Sequence, residues 1–248
     1  MPGNRLALFC LILTAMGIVV PAVLPPSLED LEEKIGRLAR IPSVSRIQID
    51  VVDGTFATPA SWPCAAPQEM RDMIARGEML PELDRIEYEI DLMCLDADHI
   101  AGAWLSLGAS RLTFHAESAM DLGRLLTSAR ERYGDDVLTF GLAIHIESDL
   151  SLIEPHLAQV GYVQFMGIAT IGRQGQPFDR RVLEKIRVFR SRHPEIPVQV
   201  DGGVSLDSGK ELLALGVSNL IVGSAILRSA DPAAEVAKFE ALAIPHGV

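Results

Sequence analysis

Apolar residues recur along this chain in two alternating periods. Short β-branched runs with the two-residue repeat of strands are followed by stretches with the three-to-four-residue repeat of amphipathic helices. Gly17 to Leu24, Arg46 to Val52, Ile86 to Met93, Arg111 to His115, Val137 to Ile144, Tyr162 to Met166, Val198 to Val200 and Asn219 to Val222 read as strands. Helix-like stretches follow them. Ser27 to Arg40 opens with a capping box and is apolar at Leu28, Leu31, Ile35 and Leu38; Ala97 to Ser106, Ser118 to Tyr133, Asp179 to Arg192 and Leu206 to Leu215 continue the series. Eight β/α units imply parallel pairing and closure into a (β/α)8 TIM barrel. An open doubly wound sheet is the alternative. No GxGxxG turn follows the first strand, and the glycine-rich sequences come after strands six, seven and eight, where a barrel places a phosphate site.

One apolar run complicates this pattern. Leu6 to Leu24 holds nineteen residues without a charge behind Arg5, enough for a membrane span or a signal-peptide core. Its second half is rich in Val and contains Pro21, which suits a strand, and a barrel needs that strand. The chain therefore divides into an apolar extension, residues 1–16, and one barrel domain, residues 17–248. An extension of that length is too short to span a bilayer alone. An export signal, a membrane-seeking tail, a poorly ordered leader and an upstream start-codon artefact stay open for it, and any membrane contact depends on it.

Composition narrows the class. With 48% hydrophobic and 22% charged residues the chain buries one large core, which excludes disordered and collagen-like architectures. Twenty-two basic against 33 acidic residues give a net charge of −11 without a basic cluster, which argues against nucleic acid as a partner. Cys10, Cys64 and Cys94 are odd in number and form no CxxC pair, so neither a disulfide framework nor a thiolate zinc site is supported; a reducing, cytoplasmic setting fits. Lys34, Lys185, Lys210 and Lys238 all fall in helical stretches, which leaves no strand-end lysine for a Schiff base.

Barrel chemistry is found where polar residues interrupt the C-terminal ends of strands. Gln48 and Asp50 share a face of strand two, Asp91 ends strand three, and Asp201 ends strand seven before Gly202 and Gly203. A buried, unpaired carboxylate costs several kcal/mol, so three of them need a metal, a substrate or shared protons. For any single one, loop N–H donors would suffice. Acids facing across a pocket suit proton transfer: one removes a proton from a carbon beside a carbonyl, and the other returns it on the opposite face. The enediolate between the two steps needs a metal ion or oriented donors.

The segments VVPAVLPPSLEDLEEKI, IQIDVVDGTF, EIDLM, LTFHAES, VQFMGI with GQPFDRRVLEKI, VQVDGGVSLDS and VGSAI resemble, in order and spacing, the motifs of the ribulose-phosphate 3-epimerase family, from about Gly17 to Leu227. The resemblance implies a ribulose-phosphate-binding barrel and an isomerase acting on a pentose 5-phosphate, with Asp50 and Asp201 as the acid/base pair. It places Met93 and Met166 in the pocket wall, although either alone reads as core. It implies a phosphate cradle at Gly172, Arg173, Gly175, Gly202, Gly203, Gly223 and Ser224, where backbone N–H groups meet the anion. The loop ATIGRQGQPF is one residue longer than the family's NPGFGGQKF and adds Arg173, a bidentate phosphate partner or a solvated loop charge. Each glycine alone reads equally as a turn former.

The same resemblance exposes departures. The family holds a divalent metal, typically zinc or iron, through two histidines and the two aspartates; Gln48 and Asp91 stand at the histidine positions. An all-oxygen set of Gln48, Asp50, Asp91 and Asp201 favours Mg²⁺, Mn²⁺ or Ca²⁺ over zinc. Absence of a metal is the alternative. Ala22 and Pro25 replace two family serines, and Thr55 replaces another histidine. The expected partner is a small phosphorylated sugar, and a homo-oligomer stays open. Alternatives to the epimerase are a sugar-phosphate-binding barrel without turnover and an isomerase or lyase on another phosphorylated sugar. DLMCLD, Asp91 to Asp96, has the acidic spacing of the DxKxxD motif of related decarboxylases, but Met93 stands where their lysine would be. His115 and Glu117, in the family's TFHxE segment, and His145 read as pocket-bordering residues or as strand-end hydrogen-bonding groups, and Phe56 and Trp62 as parts of a lid or of a hydrophobic plug.

Overall fold

A computed structural model of the chain describes residues 18–95, 97–134 and 139–243. Eight parallel strands, β1 (Ile18–Val23), β2 (Arg46–Val52), β3 (Glu87–Met93), β4 (Arg111–His115), β5 (Thr139–Ile144), β6 (Tyr162–Met166), β7 (Val198–Asp201) and β8 (Asn219–Val222), close in sequence order into a barrel. Around it lie α1 (Leu28–Leu38), α2 (Pro67–Ala75), α3 (Ala97–Ser106), α4 (Leu122–Tyr133), α5 (Arg181–Arg192), α6 (Leu206–Ala214), the single turn α7 (Ser224–Leu227) and α8 (Pro232–Ala243). The second half of the apolar run is a stave: Ile18 to Pro21 pair with Asn219 to Val222, and Ala22 and Val23 with Gln48 and Ile49. The expected extension 1–16, with Gly17, Asp96, Val137 and Leu138, lies outside the described residues. No helix among the described residues is long and apolar enough to cross a membrane.

Four differences from the sequence reading have a local reason. α4 starts at Leu122 rather than Ser118, because the Asp121 carboxylate accepts from the Arg124 N–H and caps the helix there. α5 starts at Arg181 rather than Asp179, whose side chain accepts from the Arg181 N–H. β5 is followed by two 3₁₀ turns, Leu150–Leu152 and Glu154–Gln159, where a regular β/α unit would carry an α-helix; Pro155 sits at the start of the second. α2, inside the long loop after β2, opens on Pro67 at its first turn.

The two-residue period sorts side chains between two cores. Ile47, Ile49 and Val51 of β2 face the helices, in the apolar layer that also holds Trp104, Leu126 and Phe189. Trp62 joins that layer as a plug: its ring meets Trp104 edge-on at 5.5 Å and its indole N–H donates to Glu69 at 3.0 Å. The barrel interior, commonly filled by branched apolar residues, is polar in its middle. Arg111 Nε donates to Glu89 Oε2 at 2.8 Å while its guanidinium lies 4.3 Å over the Tyr162 ring. Thr113 Oγ1 and the Tyr162 hydroxyl share a 2.7 Å hydrogen bond. Gln199 Nε2 donates to Glu89 Oε1 and, at 2.7 Å, to Gln164 Oε1, and Asn219 Nδ2 donates to Gln199 Oε1 at 3.2 Å.

Glu89 is the anionic hub of this layer and is fully buried. Glu89→Ala, which strands the Arg111 guanidinium, is expected to lower the unfolding free energy in urea by about 3–5 kcal/mol. Glu87→Ala, which removes the more exposed partner of Arg46, is expected to cost under about 1 kcal/mol. Equal costs would contradict the role given to the buried hub.

Candidate active site

Register brings the acids together. Asp50 and Asp91 are directly paired positions of β2 and β3, and β7 delivers Asp201 beside Met166 of β6. Oxygens of the three carboxylates lie within 4.8 Å of one another. Fully charged, each pair at that spacing repels by about 3 kcal/mol at the effective dielectric of protein sites.

Neutral donors surround the cluster. Gln48 Nε2 donates to Asp50 Oδ1 at 2.8 Å and to Asp201 Oδ2 at 3.3 Å. Asp91 Oδ1 is 2.9 Å from His115 Nε2, and Asp91 Oδ2 accepts from Gln164 Nε2 at 2.8 Å, which links the acids to the polar layer below. Burial, with repulsion from Asp91, pushes the Asp50 carboxyl up to about 8 despite hydrogen bonds from Gln48 and Gln174. Burial, then Asp50 and Asp91, raises Asp201 well above the usual carboxylate range. At His115 burial opposes protonation, but the charge and hydrogen bond of Asp91 outweigh it and lift the imidazole above its ordinary value.

Above the acids opens a cleft of about 520 Å³, counting space open to solvent. Asp50 and Asp201 form part of its floor, Met93 and Met166 its apolar wall, and Gly172, Arg173, Gly175, Gly202, Gly203, Gly223 and Ser224 its opposite side. Gln48 and Asp91 lie beneath, both fully buried. Glycine is required at Gly203, with φ +67°, where a Cβ would come 2.6 Å from the Phe178 backbone. At Gly172 the β6 loop touches the β2 loop, since a Cβ there would come 2.7 Å from that of Ala57. Arg173 sits at the rim, its Nε donating to the Thr58 carbonyl at 3.3 Å, and no carboxylate pairs with it among the described residues.

The remaining candidates fall beside this cleft. Phe56, Glu117 and His145 line a neighbouring groove, where Glu117 accepts from the His145 backbone N–H at 2.8 Å and His145 Nε2 lies 3.1 Å from the Ala169 carbonyl. Thr55 follows a turn held by Asp53, which accepts from the Thr55 and Phe56 N–H groups and, across to the β3 loop, from that of Leu95. Lys185 reaches from α5 to the His145 and Ser148 carbonyls, and burial brings its ammonium down to about 8. Three residues of the site escaped the sequence reading as such: His115 as the partner of Asp91, Gln164 and Gln174. Inward placement of Gln164 follows from the strand period, but its contact crosses from β6 to β3 and needs the closed barrel.

The donor set fits a hard divalent cation. Every candidate ligand is an oxygen, three are carboxylates whose mutual repulsion a cation relieves, and Gln48 Oε1 is buried without a partner among the described residues. Gln48 turns its N–H toward the acids, so its carbonyl oxygen joins such a set only after the amide rotates.

The model of the ribulose-phosphate 3-epimerase family matches residues 18–227. The chain belongs to that family. Among its curated relatives, ribulose-phosphate 3-epimerase of Schizosaccharomyces pombe is 23% identical over 214 residues, covering 86% of this chain and 88% of the relative. The ribulose-phosphate 3-epimerase of Escherichia coli K12 is 25% identical over 218 residues, covering 86% and 90%. Among solved structures, KGPDC from Streptococcus mutans in complex with D-R5P superposes with a TM-score of 0.66 at 15% identity, over 92% of this chain and 97% of that one. The 3-hexulose-6-phosphate synthase from Salmonella typhimurium gives 0.65 at 17%, over 93% and 100%. The last two likenesses establish the barrel fold.

The raised Asp50 carboxyl has a consequence for stability. Between its ordinary value of 3.8 and about 8, folding takes up a proton, so this group's stabilising contribution is full at low pH and is lost as pH rises through about 8. In chelator-treated protein, Asp50→Asn is therefore expected to raise Tm more at pH 8.5 than at pH 4.5, by about 2–4 °C for each kcal/mol recovered. An identical change in Tm at both pH values would contradict the assignment.

Proposed function

We propose that this member of the ribulose-phosphate 3-epimerase family epimerises a pentose 5-phosphate at the carbon beside its carbonyl, interconverting ribulose 5-phosphate and xylulose 5-phosphate. The observation that carries the reading is the pairing, within one cleft, of two acids of raised proton affinity with a glycine-rich wall. Raised affinity lets one carboxyl hold a proton near neutral pH while the other is charged, the condition for acting as acid and base in turn.

Backbone N–H groups of Gly202, Gly203, Gly223 and Ser224 receive the phosphate, and Arg173 adds charge at the rim. One of Asp50 and Asp201 takes the proton from the reacting carbon; the electron pair of that C–H bond moves into the enediolate, and the other acid delivers its proton to the opposite face. Gln48, hydrogen-bonded to both, steadies whichever carboxylate is charged. Asp91 is oriented by His115 and Gln164. Met93 and Met166 keep water from the planar intermediate. Held by Asp50, Asp91, Asp201 and a rotated Gln48, a hard divalent cation supplies charge stabilisation to the enediolate when bound.

A second reading follows from Gln48 and Asp91 at the family's histidine positions: a sugar-phosphate-binding barrel without turnover. Conversion of ribulose 5-phosphate, assayed with Mg²⁺, Mn²⁺, Zn²⁺ and Fe²⁺ in turn, separates the two. Turnover is expected, greatest with Mg²⁺ or Mn²⁺, and Asp201→Asn is expected to reduce kcat by about 10²–10⁴ with the circular dichroism spectrum unchanged. Thermal stabilisation by ribulose 5-phosphate with no turnover under any ion would favour the binding protein.

A further inference from the structure

The loop between β6 and α5 sends one side chain into the cleft that neither the phosphate cradle nor the acid pair employs. Gln174 is half-buried in the cleft wall. Its Nε2 donates to the Ala22 carbonyl at 3.4 Å, and it lines the cleft together with Asp50. A Cβ on Gly223 would come within 2.7 Å of the same nitrogen. The amide thus sits beside a cradle glycine, in the cleft whose floor holds Asp50.

The loop that delivers it is braced on both sides. Gly172 rests on Ala57 and Arg173 Nε on the Thr58 carbonyl, while Gln176 Nε2 donates back to the carbonyls of Thr170 and, at 2.7 Å, Arg173. A braced loop presents its amide at a fixed depth. With a cradle glycine beside it and Asp50 in the same cleft, the amide suits the single hydroxyl that separates the phosphate from the reacting carbon of a pentose 5-phosphate.

We propose that Gln174 is a substrate-positioning and specificity-determining residue. Its amide holds Asp50 in the free protein and, once a sugar phosphate binds, pairs with a hydroxyl between the phosphate and the carbon at which Asp50 acts. An amide donates and accepts, as a hydroxyl does, and it adds no charge to a site that already holds three acids and must admit a dianion. A ligand without that hydroxyl leaves the amide unpaired in the cleft, which penalises it. The assignment rests on the epimerase reading for its substrate and on the shared cleft lining for its reach to Asp50.

The test uses the full-length protein with Gln174→Gly, Gln174→Glu and Gln174→Asn, each checked by circular dichroism, and ribulose 5-phosphate as probe. Gln174→Gly is expected to lower kcat/KM for ribulose 5-phosphate by roughly tenfold, the scale of one hydrogen bond, with most of the loss in kcat. Gln174→Asn is expected to recover part of it, and Gln174→Glu to weaken ribulose 5-phosphate binding most, through repulsion. The side-chain amide NMR signal of Gln174, identified by its loss in Gln174→Gly, is expected to move in Asp50→Ala without ligand and again when ribulose 5-phosphate is added to the wild type. If the wild type binds ribulose 5-phosphate without turning it over, the epimerase reading fails, and a movement of this signal on binding with weaker binding in Gln174→Gly still upholds the positioning role. A signal indifferent to both Asp50→Ala and ribulose 5-phosphate, or a Gln174→Gly variant equal to wild type in binding and in kcat and KM, overturns it.

Discussion

Three carboxylates held within 4.8 Å of one another at the floor of a cleft repel, and the surrounding structure answers that repulsion. Gln48 places one N–H between Asp50 and Asp201, and His115 and Gln164 take the two oxygens of Asp91. Burial, together with the repulsion these donors leave uncompensated, raises the proton affinity of Asp50 and Asp201. The polar layer beneath continues the same compensation: Gln164 is held by Gln199, which is anchored on Glu89, itself paired with Arg111. A chain of net charge −11 thus keeps four acids inside one barrel by giving each at least one donor.

Three carboxylates and an amide make a ligand set that is strongly negative when ionised. Such a set calls for a hard cation or for an added proton. The cluster is all oxygen, and two of its acids hold protons at higher pH than exposed carboxylates do. The phosphate side depends less on charge. Its glycines line the cleft, and Arg173 stands at the rim with no carboxylate partner among the described residues.

Much of this was legible in the chain. The strand period places Gln48 and Asp50 on one face, and the C-terminal halves of the strands single out Asp91 and Asp201. The glycine-rich loops after strands six to eight located the other side of the cleft, and the apolar run gave up its second half to β1. What stayed hidden depends on closure or on loop paths. The pairing of His115 with Asp91, 24 positions apart, depends on the register of β3 against β4, and that of Gln164 with Asp91, 73 positions apart, crosses the interior of the closed barrel. Gln174 lies in an irregular loop, where no periodicity indicates which side chain turns inward. The segment after β5 carries 3₁₀ turns because Pro155 and the Asp149 cap favour short turns over a continuous helix.

On the proposed reading, Asp50 and Asp201 exchange a proton with the carbon beside the carbonyl of a pentose 5-phosphate. Incubation of ribulose 5-phosphate with the protein and Mn²⁺ in D₂O, followed by mass spectrometry and NMR at carbon 3, measures this directly. Xylulose 5-phosphate carrying one solvent deuterium at carbon 3 is expected from the wild type, and no xylulose 5-phosphate from Asp201→Asn. Recovery of undeuterated ribulose 5-phosphate from the wild type, with Mn²⁺ and with each of Mg²⁺, Zn²⁺ and Fe²⁺, would contradict it.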